Sequence, residues 1–425
     1  MKIMWITNIV IGSIHQMLYG RASNGFWMDA LLKDFISEGE HELLIVTTGR
    51  NKKHIYLEKK NVKYYIFPGG YPFEYNHENK RNMMDWERLI QKEKPDIIQV
   101  WGSEYTHGLA ALRVAPNIPS VIFIQGILAA IAKYYEAGIN YKELKKNRTI
   151  RDIIKGDSVL SQKNKYLKNS NYEKELLKLS GNIISENLWT VANCKEIISD
   201  IKVYYCPLNI NDVFSEYRWI HKAIKPHTIM CNASGYPLKG LHMILEALYL
   251  VKQEYPNVRL TVPGNSMISD KSIKGKLKKS GYMKYIERQI ERLGLSDNIE
   301  FTGKVTPREM AKRMSKVNVF VLSSAIENQS STLKEAMMVG TPCIASSVGG
   351  IPEYASHEKN ALLYRFEEYE LLAEYISIIF RDEQFASRLS INALEEINKL
   401  HDHRQIYKKV INIYTDMVNT EMDLQ

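Results

Sequence analysis

Between Val317 and Gly340 the chain changes character three times within a short span. Val317-Asn318-Val319-Phe320-Val321-Leu322 is apolar and β-branched and reads as a buried strand. A polar loop of Ser, Glu, Asn, Gln and Thr follows. Leu333 to Val339 then has helix-forming residues, and Gly340 stands where a left-handed terminal glycine ends a helix. Strand, polar loop and helix N-terminus in this order confine the region to an open α/β sheet. Ligands of such sheets bind at the carboxyl ends of the strands. The unpaired N–H groups of a first helical turn suit an anion. Glu327 and Glu335 bracket the loop, so both can face one pocket. A pair of carboxylates in this spacing is also what two solvated helix-end side chains would look like.

The same texture repeats along the chain. Ile3 to Val10 reads as a strand, followed by a loop through Gly12, Gly20 and Gly25 and a helix from Phe26 to Ile36. Leu43–Thr48, Tyr64–Pro68, Pro95–Trp101 and Val121–Gly126 read as further strands, and Met84 to Glu93 as a helix. After a proline-marked exit at Tyr205-Cys206-Pro207, His227–Ala233 opens a second series. It continues through Ser234-Gly235-Tyr236-Pro237-Leu238-Lys239-Gly240, the helix Leu241 to Glu254, and strands at Val258–Gly264, Ile299–Val305 and Pro342–Ser346. Alternating strands and helices give doubly wound parallel sheets. At 425 residues the chain exceeds one core, so two such domains are expected. The expected bounds are 1–208, 209–400 and a closing helical segment, 401–425.

Charge and cysteine usage narrow the setting. Up to Tyr205 there are 29 Lys and Arg against 22 Asp and Glu, and after it 28 against 26. That places the basic excess in the N-terminal half and suggests an anionic partner there: a membrane surface, a phosphorylated acceptor or nucleic acid. A solvated lysine-rich surface is an equally good account. The segment from Ala129 to Leu177 interleaves tyrosines with basic residues and has no clear strand. It reads first as a solvated helical insertion, and its aromatic and basic residues could also touch a lipid headgroup, an acceptor sugar or RNA. No nucleic-acid module is recognisable, so nucleic acid is not expected as a partner. Cys194, Cys206, Cys231 and Cys343 form no C-x-x-C pair, which fits free thiols in a reducing cytoplasm. The first eight residues do not read as a signal peptide, and no run of eighteen apolar residues exists.

The run of strand, Glu327-x7-Glu335, strand and Gly349-Gly350-Ile351-Pro352-Glu353 resembles the donor-site signature of retaining glycosyltransferases of family 4 (group 1), which have the GT-B fold. The resemblance implies two Rossmann-like domains facing a central cleft, with the last helix packing on the N-terminal domain. It implies a nucleotide diphosphate sugar as donor, UDP-linked before GDP-linked, and a glycan or lipid-linked acceptor hydroxyl, as in surface polysaccharide synthesis. Glu335 would hold the ribose diol and Lys239 the diphosphate. Ser331, Thr332 and Leu333 would add N–H donors, and Val305 main-chain contact to the base. Glu327 would hold the donor sugar, with Gln125 beside it. No metal is expected, since the lysine and the helix end replace it, and no Asp-x-Asp lies near the pocket. Three departures stand out. Gln125 occupies a position where the family commonly has histidine, and glutamine cannot relay a proton. Ser234 stands in the neighbourhood of the family's arginine, a loss of about 1.5–3 kcal/mol if nothing offsets it. Gly25 is single where adjacent glycines are usual. These departures motivate a second reading, a non-catalytic sugar-nucleotide-binding subunit of a polysaccharide assembly complex. For His107 two readings are open: facing the cleft, or a helix-capping or surface histidine.

Overall fold

The structure is a computed structural model and describes residues 1–20, 25–69, 80–233, 235–264 and 273–424. The chain divides into two compact units. The first comprises Met1–Ala130, Leu167–Ile210 and His401–Gln425, and the second Ile131–Tyr166 and Asn211–Leu400.

The first unit is built on an eight-stranded sheet. Its strands are β1 (Lys2–Ile6), β2 (Glu42–Gly49), β3 (Ile55–Lys59), β4 (Val62–Pro68), β5 (Ile97–Trp101), β6 (Ser120–Phe123), β7 (Asn182–Ser185) and β8 (Lys202–Tyr205). They lie in the order β3-β4-β2-β1-β5-β6-β7-β8. All neighbours pair in parallel except β3 and β4. The parallel strands read as continuous apolar runs because helices cover both faces. Trp5, Trp101 and Phe123 fill one face, with Trp101 stacked on Phe123 at 5.0 Å and edge-on to Trp5 at 5.2 Å. The last helix, His403–Leu424, closes this core. Its Tyr414 hydroxyl accepts from Trp5 Nε1 at 3.0 Å and donates to Gln99 Oε1 at 2.5 Å.

The second unit carries six parallel strands: β9 (Thr228–Cys231), β10 (Arg259–Pro263), β11 (Ile299–Gly303), β12 (Val319–Leu322), β13 (Cys343–Ser346) and β14 (Leu362–Tyr364). Their order, β11-β10-β9-β12-β13-β14, reverses direction between β9 and β12. A doubly wound sheet binds its ligand at that reversal. The helix Leu241–Glu254 buries Leu241, Ile244, Leu245, Leu248 and Val251, one stripe at helical spacing, against this sheet.

Two features differ from the sequence reading. β3 and β7 form strands where none is read. Ile131–Tyr166 joins the second unit, so the expected division at 208/209 does not describe how this segment packs. Gly281 N–H donates to Asp152 Oδ2 at 2.8 Å, Arg288 Nη1 to Asn147 Oδ1 at 3.0 Å, and His242 Nε2–H to the Ala137 carbonyl at 2.8 Å. The charge balance changes with it. The first unit holds 23 Lys and Arg against 22 Asp and Glu, and the second 34 against 26. The basic excess therefore belongs to the second unit rather than to the N-terminal half.

Candidate donor site

The loop leaving β12 lies against the loops leaving β9 and β13. Gly240 has φ +67° and Gly349 φ +55°, both left-handed. A Cβ on Gly240 would fall inside the Ser323 carbonyl oxygen, and one on Gly349 inside the Glu327 carbonyl oxygen. The close approach is bridged by hydrogen bonds. Ser323 Oγ donates to the Lys239 carbonyl at 2.9 Å, and Ala325 N–H to the Leu238 carbonyl at 2.8 Å. Gly350 N–H donates to the Glu327 carbonyl at 3.2 Å, and Ser346 Oγ to the Ser324 carbonyl at 2.6 Å. The backbone on both sides of Glu327 is thus fixed from two neighbouring strands.

This corner brings Lys239 and Glu327 together. Lys239 Nζ donates to Glu327 Oε1 at 2.5 Å, and Ser324 Oγ donates to the same oxygen at 2.6 Å. Burial disfavours the Lys239 charge, but the Glu327 carboxylate outweighs it and holds the ammonium well above its ordinary pKa. The lysine therefore stays cationic at every physiological pH. Two of its three N–H donors and Glu327 Oε2 have no recorded partner among the described residues.

The helix Ser331–Val339 begins beside this pair. Its N-cap, Ser330, accepts from Leu333 N–H at 3.3 Å. The Leu333 N–H is therefore already used, contrary to the expectation that it serves a ligand, and the Leu333 side chain is in the core. Ser331 and Thr332 keep first-turn N–H groups that have no intrahelical acceptor. Asn232, at the exit of β9, donates from Nδ2 to Thr332 Oγ1 at 3.0 Å and ties the turn to the reversal point. Glu335 is half-buried, has no partner among the described residues, and is pushed up to about 8 by desolvation. Val305 is half-buried in the loop between β11 and the helix Pro307–Met314. Ser234 lies outside the described residues. A depression of about 340 Å³ opens beside the corner, lined by Ala325, Ser347 and Val348 and by charges of both signs, Lys133, Arg365, Glu136 and Glu367.

Gln125 and Gly25 belong to the first unit. Gly25 precedes the helix Phe26–Glu38 at φ −95°, a conformation open to any residue. A Cβ there would meet the side-chain tips of Ile9 and Met28 at 2.9 Å, which would have to shift. Gln125 lies just past β6, and its Nε2 is buried without an acceptor. Glu104, past β5, has its Oε2 equally unpaired, and both side chains crowd Gly102. Burial lifts Glu104 to about 7. Glu173 is lifted to about 8 by burial, and its carboxyl accepts from Ser103 Oγ at 2.7 Å and Leu128 N–H at 2.9 Å. His107 is neither exposed nor a cap. It is buried, donates from Nε2 to the Trp101 carbonyl at 3.0 Å, and is held neutral by burial, its pKa lowered to about 4. Ser324, Asn232 and Glu104 carry no motif of their own, and the sequence reading misses them. Their only signal is position, each lying one to three residues past a strand that borders a reversal in its sheet.

Residues 214–396 match the family model of glycosyl transferases group 1. The putative glycosyltransferase YtcC of Bacillus subtilis is 22% identical over 291 residues, 60% of this chain and 70% of that protein. Matches to three further curated relatives span 41 to 47% of their lengths. Sucrose-phosphate synthase from Thermosynechococcus elongatus superposes with a TM-score of 0.69 at 16% identity, covering 99% of each chain. Anabaena Alr3699/HepE, solved in complex with UDP and glucose, gives 0.66 at 16% identity, covering 98% of this chain and 99% of its own. The fold is GT-B, and the resemblance to group 1 glycosyltransferases is borne out over the matched residues.

Proposed function

We propose that this chain, whose second unit carries the group 1 glycosyltransferase match, transfers a sugar from a nucleotide diphosphate sugar to an acceptor hydroxyl with retention at the anomeric carbon. The observation that carries the reading is the fixed Lys239–Glu327 pair at the sheet reversal, with the partnerless Glu335 on the helix behind it.

Each group has a chemical part. The diphosphate takes the two open N–H donors of Lys239 and the first-turn N–H groups of Ser331 and Thr332. These charges and dipoles act where negative charge develops on the departing nucleotide. Glu335 accepts from the two ribose hydroxyls. Glu327, one bond chain further along the donor, accepts from sugar hydroxyls through Oε2. The bond from the anomeric carbon to the phosphate oxygen breaks, and the acceptor oxygen bonds to that carbon on the same face. The departing phosphate oxygen takes the acceptor's proton, so no protein base is required and Gln125 only has to orient. UDP is the favoured nucleotide, since HepE was solved with UDP and glucose, and GDP is the other candidate. A glycan or lipid-linked glycan is the acceptor, met at the inner face of the membrane. Lys239 and the helix end replace a metal in this scheme.

A panel of nucleotide sugars tested by calorimetry, followed by NMR of the sugar released or transferred, examines this reading. A donor that binds and yields a retained anomer supports it. An inverted product overturns the mechanism. Donor binding with neither transfer nor hydrolysis favours the non-catalytic subunit, a reading motivated by Gln125 in the histidine position.

A further inference from the structure

The short helix Ile150–Lys155, within Ile131–Tyr166, presents an unusual outer face. Its inner side is anchored. Thr149 and Asp152 form a reciprocal capping box, buried Asp152 accepts from Gly281 N–H, and Thr149 Oγ1 donates to the Lys279 carbonyl at 3.2 Å. The outer side carries Ile150, Ile153 and Ile154, spaced i, i+3 and i+4, which are 76%, 59% and 80% exposed. Leu277, two residues before Lys279, is 72% exposed. Four large aliphatic side chains so fully in water are not part of any core.

Their surroundings identify what covers them. Lys142, Lys145, Lys146, Arg148 and Lys155 are all exposed. The only carboxylates from 141 to 155 are Glu143 and Asp152. Glu143 lies 3.8 Å from Lys146 and from Arg288, and Asp152 is buried beside Arg151. The segment 141–155 therefore carries apolar tips among exposed cations, and the nearby carboxylates Glu143, Asp152, Asp157 and Glu287 are each paired with a cation. A second copy of the chain would bring the same cations against these, which is repulsive. Four side chains fall short of the roughly 800 Å² per partner that a stable protein interface needs. An anionic lipid surface fits both features, taking aliphatic tips below the headgroups and cations at their level.

We propose that the outer face of Ile150–Lys155, with Leu277, docks the second unit on an anionic lipid surface. This proposal does not depend on the glycosyl-transfer reading, and its test uses no nucleotide sugar. Vesicles of phosphatidylcholine alone, and of phosphatidylcholine mixed with phosphatidylglycerol, are sedimented with the full chain. Binding to the mixed vesicles only, weakened by salt, is expected. The triple variant Ile150→Asn, Ile153→Asn, Ile154→Asn should lose roughly tenfold or more in partitioning. Lys155→Gln should lose about fivefold, the effect of one cation near such a surface. Both should keep the parent's circular dichroism and melting temperature. Equal partitioning of parent and both variants overturns the proposal, as does equal binding to neutral vesicles. So does a parent dimer that the triple variant abolishes, since a second copy would then cover the face.

Discussion

At Glu335 a carboxyl raised to about 8 by burial meets no partner, so it is protonated at neutral pH in the free protein. A folded-state value above the ordinary 4.5 adds stability that is complete below 4.5 and lost as pH rises through about 8. Two donating ribose hydroxyls favour the ionised form and lower the value again. Donor binding near pH 7 should therefore release a proton, seen as a dependence of the calorimetric heat on buffer ionisation enthalpy. Glu335→Gln should abolish that release, and the same proton count in both proteins would refute the assignment. Glu327 plays a different part. Glu327→Ala would strand a largely buried lysine, at a cost toward the low end of about 3–5 kcal/mol, so Glu327→Gln is the cleaner probe. It should lower kcat by about 10²–10³ and change donor KM less than tenfold. Normal turnover in this variant would move the donor sugar elsewhere. Both glutamates and Lys239 are picked out in the sequence by the family resemblance, since their spacing alone reads equally as solvated helix-end carboxylates and a loop lysine. Their pairing is not legible there. Lys239 and Glu327 stand 88 residues apart and meet only because β9 and β12 are neighbours.

Among elements, the loops after β9 and β13 act as clamps on the loop after β12, and each depends on one left-handed glycine. Gly240→Ala and Gly349→Ala both force a strained φ and drive a methyl into a backbone carbonyl that cannot swing away. Each should cost about 3 kcal/mol or more, measured by denaturant unfolding, and should abolish donor binding. A variant with parental stability would mean that the loops can part. Ser330→Ala should cost about 1 kcal/mol as a lost N-cap. Long periodic elements are legible. The helix Leu241–Glu254 is read at its observed bounds because its apolar stripe is uninterrupted. β3 is not read, since Ile55-Tyr56-Leu57-Glu58-Lys59 is an edge strand whose Tyr56, Glu58 and Lys59 face water. β7 is four residues long, too short for periodicity to separate it from the end of the helix before it.

For the whole molecule, doubly wound sheets follow from alternation of strands and helices, chain length suggests two units, and the GT-B arrangement is what the family resemblance implies. The assignment of Ile131–Tyr166 is beyond such patterns. It rests on Asp152–Gly281, Asn147–Arg288 and Ala137–His242, contacts more than 100 residues apart in sequence. The basic surface moves with that segment, which is why halves of the sequence give the wrong location for the charge. One expectation at this scale is that transfer survives excess chelator, because in the proposed scheme Lys239 and the helix end take the diphosphate. Loss of activity in EDTA with recovery on adding Mg²⁺ or Mn²⁺ would count against it. The central claim is that a nucleotide diphosphate is held at the reversal of the second sheet by Lys239 and Glu335. Calorimetric titration of UDP into the full chain and into Glu335→Ala tests it most directly. The account predicts saturable UDP binding to the parent and at least a tenfold loss in a variant that remains folded by circular dichroism. Parental UDP affinity in the folded Glu335→Ala protein would contradict it.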